Sequence, residues 1–327
     1  MKKEILLTGC AGFIGTNFVK KIASKPEMAS HYHFHIIDAL TYAGKKENIE
    51  AELKFCAHLS FEKMDIRDRQ AIAGLFQKRN FSGVINFAAE SHVDRSIENP
   101  NIFVETNVLG TLNLLQASLG LQEKSNDFRF LQISTDEVYG SLGEKDPAFT
   151  ENTPIAPNSP YSSSKASADL LCRSFFETYK LPVMITRCSN NYGPYQADEK
   201  FIPVVIKKAL RNEKVPVYGA GMNVRDWIFV DDHNDGVWSV FEKGRAGHIY
   251  NFGGAAELPN IELAKKILKI LGKPESLIEF VTDRKGHDFR YAMNFNKSQR
   301  ELGWRPQHQF DDALTKTVQW YQSHHVI

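Results

Sequence analysis

The sequence predicts an α/β fold, a doubly wound parallel sheet carrying a smaller, mixed C-terminal lobe. Three observations lead there. Short β-branched runs alternate with amphipathic helical stretches through the first half of the chain. A glycine-rich turn joins the first run to the first helical stretch. After about residue 188 the alternation gives way to short elements and longer polar connections. Parallel strands need long crossovers, and helices on both faces supply them.

The elements follow in order. Glu4–Thr8 is a Leu and β-branched run, and Phe13–Ser24 has apolar residues at helical spacing. His33–Asp38 reads as a second strand, Arg67–Lys78 as a helix and Gly83–Phe87 as a further strand. Phe103–Leu119 reads as one helix, Phe128–Ser134 as a strand, Ser162–Tyr179 as a helix and Pro182–Arg187 as a strand. Turn chemistry then appears in Ser189-Asn-Asn-Tyr-Gly-Pro194. Helices are expected at Phe201–Leu210, Asp231–Glu242, Asn260–Leu271 and Asp311–Gln322. No internal repeat or low-complexity linker separates the tail, so it should pack on the first part rather than hang from it.

Composition excludes several function classes. With 42% apolar and 24% charged residues, the chain matches ordinary globular usage rather than a disordered, collagenous or coiled-coil protein. Lys+Arg is 40 against 39 for Asp+Glu, which gives no broad basic face for nucleic acid or for a membrane surface. No uninterrupted apolar stretch approaches the ~18 residues of a spanning helix. The charged N-terminus lacks the apolar core and cleavage site of a signal peptide, so a cytoplasmic location is expected. Cys10, Cys56, Cys172 and Cys188 have neither metal-finger nor redox-motif spacing. They read as reduced cytosolic thiols, with no metal site.

The turn Thr8-Gly-Cys-Ala-Gly-Phe-Ile-Gly15 places glycines at 9, 12 and 15 between a strand and a helix. Little side-chain bulk there lets a pyrophosphate reach backbone amides at a helix N-terminus, where the dipole favours negative charge. Gly15 allows the helix to pack closely on the sheet. Asp38 ends the second strand, 23 residues after Gly15, where a carboxylate can accept the ribose hydroxyls of an adenosine and would repel a 2′-phosphate. NAD is therefore expected rather than NADP. Asp65-Ile66 follows the third strand, where Asp65 could meet the adenine amine or simply end a strand.

Tyr161 and Lys165 lie four residues apart at the start of a helix, hence on one face. An ammonium near a phenol favours the phenolate, so a lowered Tyr161 pKa and a general-base role are expected. Ser134-Thr-Asp-Glu-Val-Tyr-Gly140 follows a strand at the sheet edge where open α/β folds bind ligands. A plain alcohol oxidation needs only a Tyr, a Lys and a hydroxyl donor. The added pair Asp136 and Glu137 points to proton traffic besides hydride transfer; the alternative is a solvated loop.

With these motifs the chain resembles the extended short-chain dehydrogenase/reductase family and, within it, the nucleotide-sugar 4,6-dehydratases. The resemblance covers nearly the whole chain. It is carried by Ala88-Ala-Glu-Ser-His-Val-Asp-Arg-Ser96, Ser134–Gly140, Ser159-Pro-Tyr-Ser-Ser-Ser-Lys-Ala-Ser167, Arg187-Cys-Ser-Asn-Asn-Tyr-Gly-Pro-Tyr195, Arg225-Asp-Trp227 and Gly286-His-Asp-Phe-Arg-Tyr291. It implies a Rossmann-like NAD domain over residues 1–188, rejoined by about 224–245, and a mainly substrate-binding lobe over 189–327. The implied NAD contacts are Gly9, Gly12, Phe13, Ile14, Gly15, Asp38, Leu40, Thr41, Gly44, Asp65, Ile66, Ala88, Ala89, Ser91, Thr106, Tyr161, Lys165 and Asn191. The implied substrate contacts are Ser91, Thr135, Asn190, Glu199, Lys200, Tyr218, Arg225, Asn260, Arg290 and Tyr291, with Tyr218 able to stack on a pyrimidine.

The chemistry so implied is redox-neutral loss of water from a dTDP-glucose substrate in deoxysugar biosynthesis. Tyr161, helped by Lys165 and Thr135, takes the 4-hydroxyl proton while NAD accepts the hydride. Glu137 removes the proton at position 5, Asp136 protonates the departing 6-hydroxyl, and the hydride returns at position 6. A homodimer formed through Phe103–Leu119 and Ser162–Tyr179 is also implied. Ala39, Ala197, Asp198, Ala255 and Phe289 depart from the family pattern, and Asp198 and Phe289 lower positive charge near the expected nucleotide site. UDP- or CDP-linked sugars are therefore alternative substrates. A 4-epimerase would need Tyr161 and Lys165 but not the acid pair. A non-catalytic NAD-binding subunit would need none of the four together.

Overall fold

The computed structural model describes residues 2–122, 127–283 and 286–324. Its strands are β1 (Lys3–Thr8), β2 (Tyr32–Asp38), β3 (Leu59–Lys63), β4 (Gly83–Asn86), β5 (Arg129–Thr135), β6 (Val183–Cys188), β7 (Asn190–Tyr192), β8 (Val215–Tyr218), β9 (Val224–Phe229), β10 (Ile249–Phe252), β11 (Glu257–Pro259) and β12 (Ile278–Val281). Seven of them form one sheet in the order β10-β6-β5-β4-β1-β2-β3, every neighbouring pair parallel. The chain works outward from β1 in one direction, then crosses to β4 and works outward in the other. Loops at the carboxyl ends of β1 and β4 therefore part, leaving a crevice.

Helices cover both faces because the strands are apolar on both. One face buries Phe18, Val19 and Ile22 of the helix Phe13–Ala23 with Val237, Trp238 and Phe241 of Val230–Lys243. The other buries Leu114 and Leu115 of Thr111–Gln122 with Cys172 and Phe175 of Pro160–Tyr179. Local chemistry sets the helix starts. The Asp68 carboxylate accepts from the N–H groups of Gln70 and Ala71 to open Arg69–Lys78. Ser159 and Ser162 form a reciprocal cap at the start of Pro160–Tyr179, with Pro160 in its first turn.

Two expectations needed correction. The helix expected over Phe103–Leu119 is three pieces: Pro100–Phe103, a π-helical stretch Val104–Gly110, and Thr111–Gln122. Apolar spacing does not register the extra residue per turn of a π stretch. The return to the large sheet also goes further than about 224–245: Val230–Lys243 packs on the sheet and β10 then adds its last strand.

The remaining residues form a three-stranded sheet, β11-β9-β7, and the two-stranded pair β12-β8. They share a core with Phe201–Leu210, Asn260–Leu271 and Phe310–His324, built on Ile202, Val205, Leu263, Ile267, Leu314 and Tyr321. No helix among the described residues is long and apolar enough to cross a membrane.

A buried ion pair braces the helix Pro160–Tyr179. The Asp169 and Arg187 side chains are 1% and 2% exposed, and Arg187 Nε donates to Asp169 Oδ2 at 2.9 Å. Asp169→Ala should lower stability by about 3–5 kcal/mol, because it strands a buried guanidinium. Equilibrium urea unfolding checks this.

Candidate active site

A deep cleft lies where the strand order reverses. Its walls are glycines and apolar residues of the turn Gly9–Gly15 after β1, Ile37, Asp38, Ala39, Thr41, Ala43 and Gly44 at the end of β2 and beyond it, Met64–Arg67 after β3, Phe87–Ser91 after β4, Ser134–Glu137 at the end of β5, and Cys188–Asn191 at the end of β6. Tyr161 and Lys165 reach it from the helix Pro160–Tyr179, and Gln196, Ala197 and Lys200 close it from the smaller lobe.

The glycine turn is shaped by sterics. Gly9 has φ +70°, and a Cβ there would lie 2.5 Å from the Ala88 backbone. A Cβ on Gly15 would lie 2.5 Å from Cys10 Cα. The helix Phe13–Ala23 starts at Gly12 with no side-chain cap and no acid in its first turn, while Lys20 and Lys21 sit in its last turn. Its N-terminal amides and dipole thus face the cleft uncompensated, which suits a pyrophosphate.

Asp38 anchors the neighbouring loop. Its Oδ2 accepts from Ala11 N and its Oδ1 from Leu40 N, both at 2.8 Å. Burial raises its carboxyl, and these two bonds act the other way. Leu40 is the one expected cofactor residue that does not line the cleft; its part is this backbone N–H, given from a left-handed conformation of φ 53°. Asp65 is held by Arg67, whose Nε and Nη2 reach Asp65 Oδ2 at 2.9 and 2.6 Å. Burial acts to raise the Asp65 carboxyl, but the Arg67 bonds outweigh it and hold it below its usual range.

At the other end, Lys165 Nζ donates to Ile133 O at 2.6 Å, and Thr135 and Tyr161 both face the cleft. Burial lowers the Lys165 ammonium. The expected lowering of Tyr161 is overturned: burial raises its phenol well above the usual value, and Glu137 and Cys188 add to this. The lysine spacing was right, but its ammonium is committed to a carbonyl and a carboxylate lies near the phenol. Asp136 is 2% exposed, and burial pushes its carboxyl far up, helped by Glu137 and Asp226 against Arg225. Its Oδ1 accepts from Thr135 Oγ1 at 3.2 Å. Asp136 thus holds its proton more tightly than an ordinary carboxyl.

Several buried polar atoms in the wall have no hydrogen-bond partner among the described residues: Ser134 Oγ, Asp136 Oδ2, Ser189 Oγ, Asn190 Oδ1, Asn191 Oδ1 and Gln196 Oε1. Orphaned groups in a dry wall mark where a polar ligand belongs. Together with the glycine cradle, they fit a dinucleotide beside a second polar molecule.

Of the expected substrate residues, Ser91, Thr135, Asn190 and Lys200 line the cleft. Glu199, Tyr218, Arg225, Asn260, Arg290 and Tyr291 do not. Arg225 is buried, donating to the carbonyls of Val224, Phe289 and Asp288, with its guanidinium 4.4 Å from the Tyr291 ring centroid. Tyr291 donates to Asp288, and Arg290 Nε to Glu257 Oε2 at 2.6 Å. Tyr218 is an exposed ring at the end of β8. Sequence reasoning missed Arg67, Glu90, Ser134, Cys188, Ser189 and Gln196 in the wall. Position alone could have flagged Arg67, directly after Asp65-Ile66, and Glu90, inside the Ala88–Ser96 motif.

Comparison with known proteins agrees with this geometry. The family model described as GDP-mannose 4,6 dehydratase matches residues 6–317. A dTDP-glucose 4,6-dehydratase of Xanthomonas campestris pv. campestris is 51% identical, over 97% of this chain and 92% of that one. One from Escherichia coli K12 is 44% identical, over 98% of this chain and 93% of that one. The crystal structure of the dTDP-glucose 4,6-dehydratase of Streptomyces venezuelae, solved with NAD and dTDP bound, superposes with a TM-score of 0.92 at 45% identity, covering 98% of this chain and 97% of that one.

Gly9→Ala tests the cradle. The added methyl meets the Ala88 backbone in a left-handed conformation that itself costs about 1–2 kcal/mol. Calorimetric titration should show weakened NAD binding, and thermal unfolding a lower midpoint.

Proposed function

Because the chain belongs to the GDP-mannose 4,6-dehydratase family of nucleotide-sugar dehydratases, we propose that it is an NAD-dependent dTDP-glucose 4,6-dehydratase, a hydro-lyase forming dTDP-4-keto-6-deoxyglucose and water. The observation that carries this reading is the Asp136–Glu137 pair at the end of β5, set beside the buried Tyr161, with burial raising the Asp136 carboxyl above its usual range. A 4-epimerase has no use for such an acid there.

Bound NAD supplies a two-electron acceptor for carbon 4 that gives the electrons back at carbon 6. Tyr161 takes the proton of the 4-hydroxyl and must be ionised to do so; the positive nicotinamide ring of bound NAD would oppose the rise that burial and Glu137 cause. Glu137 then takes the proton at position 5, acidified by the new ketone. Asp136 gives its proton to the 6-hydroxyl, which leaves as water. The proton at position 5 is restored as carbon 6 is reduced, so the sum is loss of one water. Lys200 and Asn190 are proposed to meet the diphosphate from the smaller lobe, while the large sheet holds the cofactor. Arg225, Arg290 and Tyr291 are proposed to brace that lobe from outside the cleft rather than to touch the phosphates directly.

A cytoplasmic homodimer is part of the same reading. Val104 and Leu109 on the π stretch, and Leu170 and Tyr179 on Pro160–Tyr179, are about half exposed. Four such apolar side chains on the two helices expected to pair support that face as the interface. Leu109→Lys with Leu170→Lys should give a monomer by light scattering.

The activity test incubates the protein with dTDP-glucose, UDP-glucose, CDP-glucose and UDP-N-acetylglucosamine in parallel and follows products by NMR. Dehydration of dTDP-glucose alone or foremost is expected, and a 4-epimer product would overturn the reading. In single-turnover mixing, Glu137→Gln and Asp136→Asn should let NADH appear and persist while water loss slows about 10²-fold or more. Tyr161→Phe should instead block the appearance of NADH.

A further inference from the structure

We propose that Tyr42 and Arg95 form a clasp across the mouth of the cofactor cleft that slows release of NAD. The inference rests on the reading of the cleft as an NAD site, not on the sugar chemistry. Tyr42 stands between Thr41 and Ala43, both in the cleft wall beyond β2. Arg95 is in the short helix Val93–Glu98, directly after the opposite wall Phe87–Ser91. The Arg95 guanidinium carbon lies 3.6 Å from the centroid of the Tyr42 ring, close stacking for an arginine on an aromatic face. The contact therefore joins two walls that the strand order drives apart.

The loop bearing Tyr42 is fixed at its root, and the stack holds its tip. Asp38 takes the N–H groups of Ala11 and Leu40, Gly44 N donates to Thr41 O at 3.1 Å, and Lys45 N to Ala11 O at 3.0 Å. With a rigid root, the stack decides whether the tip spans the mouth. A second tie, Lys200 Nζ to Ser91 O at 2.8 Å, pulls the Arg95-bearing wall toward the smaller lobe. A reaction that returns its electrons within each turnover needs no exchange of cofactor. A clasp that retains NAD costs such a cycle nothing, whereas a dehydrogenase that releases NADH each turnover would be slowed by it.

The test uses the NADH-loaded protein without sugar. NADH fluorescence is followed as excess NAD displaces it. A partly exposed cation–π pair is worth about 0.5–1 kcal/mol, so Arg95→Met and Tyr42→Leu should each speed release about two- to fivefold. The double variant should be no faster than the faster single one, because both break one contact. Tyr42→Phe keeps the ring and should release at the wild-type rate. The melting point of the cofactor-free protein identifies any variant that is merely misfolded. Release rates unchanged in both single variants overturn the clasp, as do effects that multiply in the double variant or a Tyr42→Phe protein as leaky as Tyr42→Leu.

Discussion

The site depends on one buried polar network at the centre of the large sheet. Thr8 Oγ1 donates to Asn86 Oδ1 at 2.6 Å, and Asn86 Nδ2 to Gln132 Oε1 at 2.8 Å and Thr111 Oγ1 at 3.3 Å. Thr8, Asn86 and Thr111 are wholly buried and Gln132 is 1% exposed, so water cannot replace a lost partner. An unmatched group here would cost about 1–3 kcal/mol. Any slip of β1, β4 or β5 past its neighbour breaks several of these bonds at once. The network thereby fixes the level at which the three strands end, and Thr8 Oγ1 also accepts from Ala88 N at 3.2 Å, tying down the start of the next loop. The glycine turn and the Ser134–Glu137 segment keep their separation because their strand ends cannot shift.

Burial also sets the electrical state of the site. The same low-dielectric wall raises Asp136 and Tyr161 and lowers Lys165, driving all three toward neutrality. Asp226, buried behind Asp136, is itself raised to about 6.

Much of the fold was legible because its signals are periodic. The strand and helix runs up to residue 188 announce themselves by apolar spacing, and the glycine turn by residue type. The π stretch Val104–Gly110 was hidden because one added residue per turn leaves the sequence looking helical. In the site, the residues expected at the cofactor line the cleft, Leu40 excepted, while Arg225 and Arg290 lie outside it; residue type shows that a cation is present but not which carbonyls and carboxylates it finds. The same blindness produced the wrong sign for Tyr161. Spacing brings Lys165 to the same face, but only the fold shows that its ammonium is spent on Ile133 and that Glu137 lies nearby.

The late arrival of β10 bears on how the chain is made. The large sheet is not closed when its first six strands have left the ribosome. β6, buried along its whole length in the finished protein, has an open edge until Ile249–Phe252 pairs with it. β10 in turn is covered by Trp304, whose ring meets Phe252 at 4.6 Å and whose Nε1 donates to Asp232 O at 2.9 Å. A nascent chain that pauses between Cys188 and Ile249 therefore carries an apolar, unpaired strand, the kind of edge that recruits another chain. Residues 189–248 must be made before that edge is covered, and for that interval the open edge of β6 is an aggregation hazard.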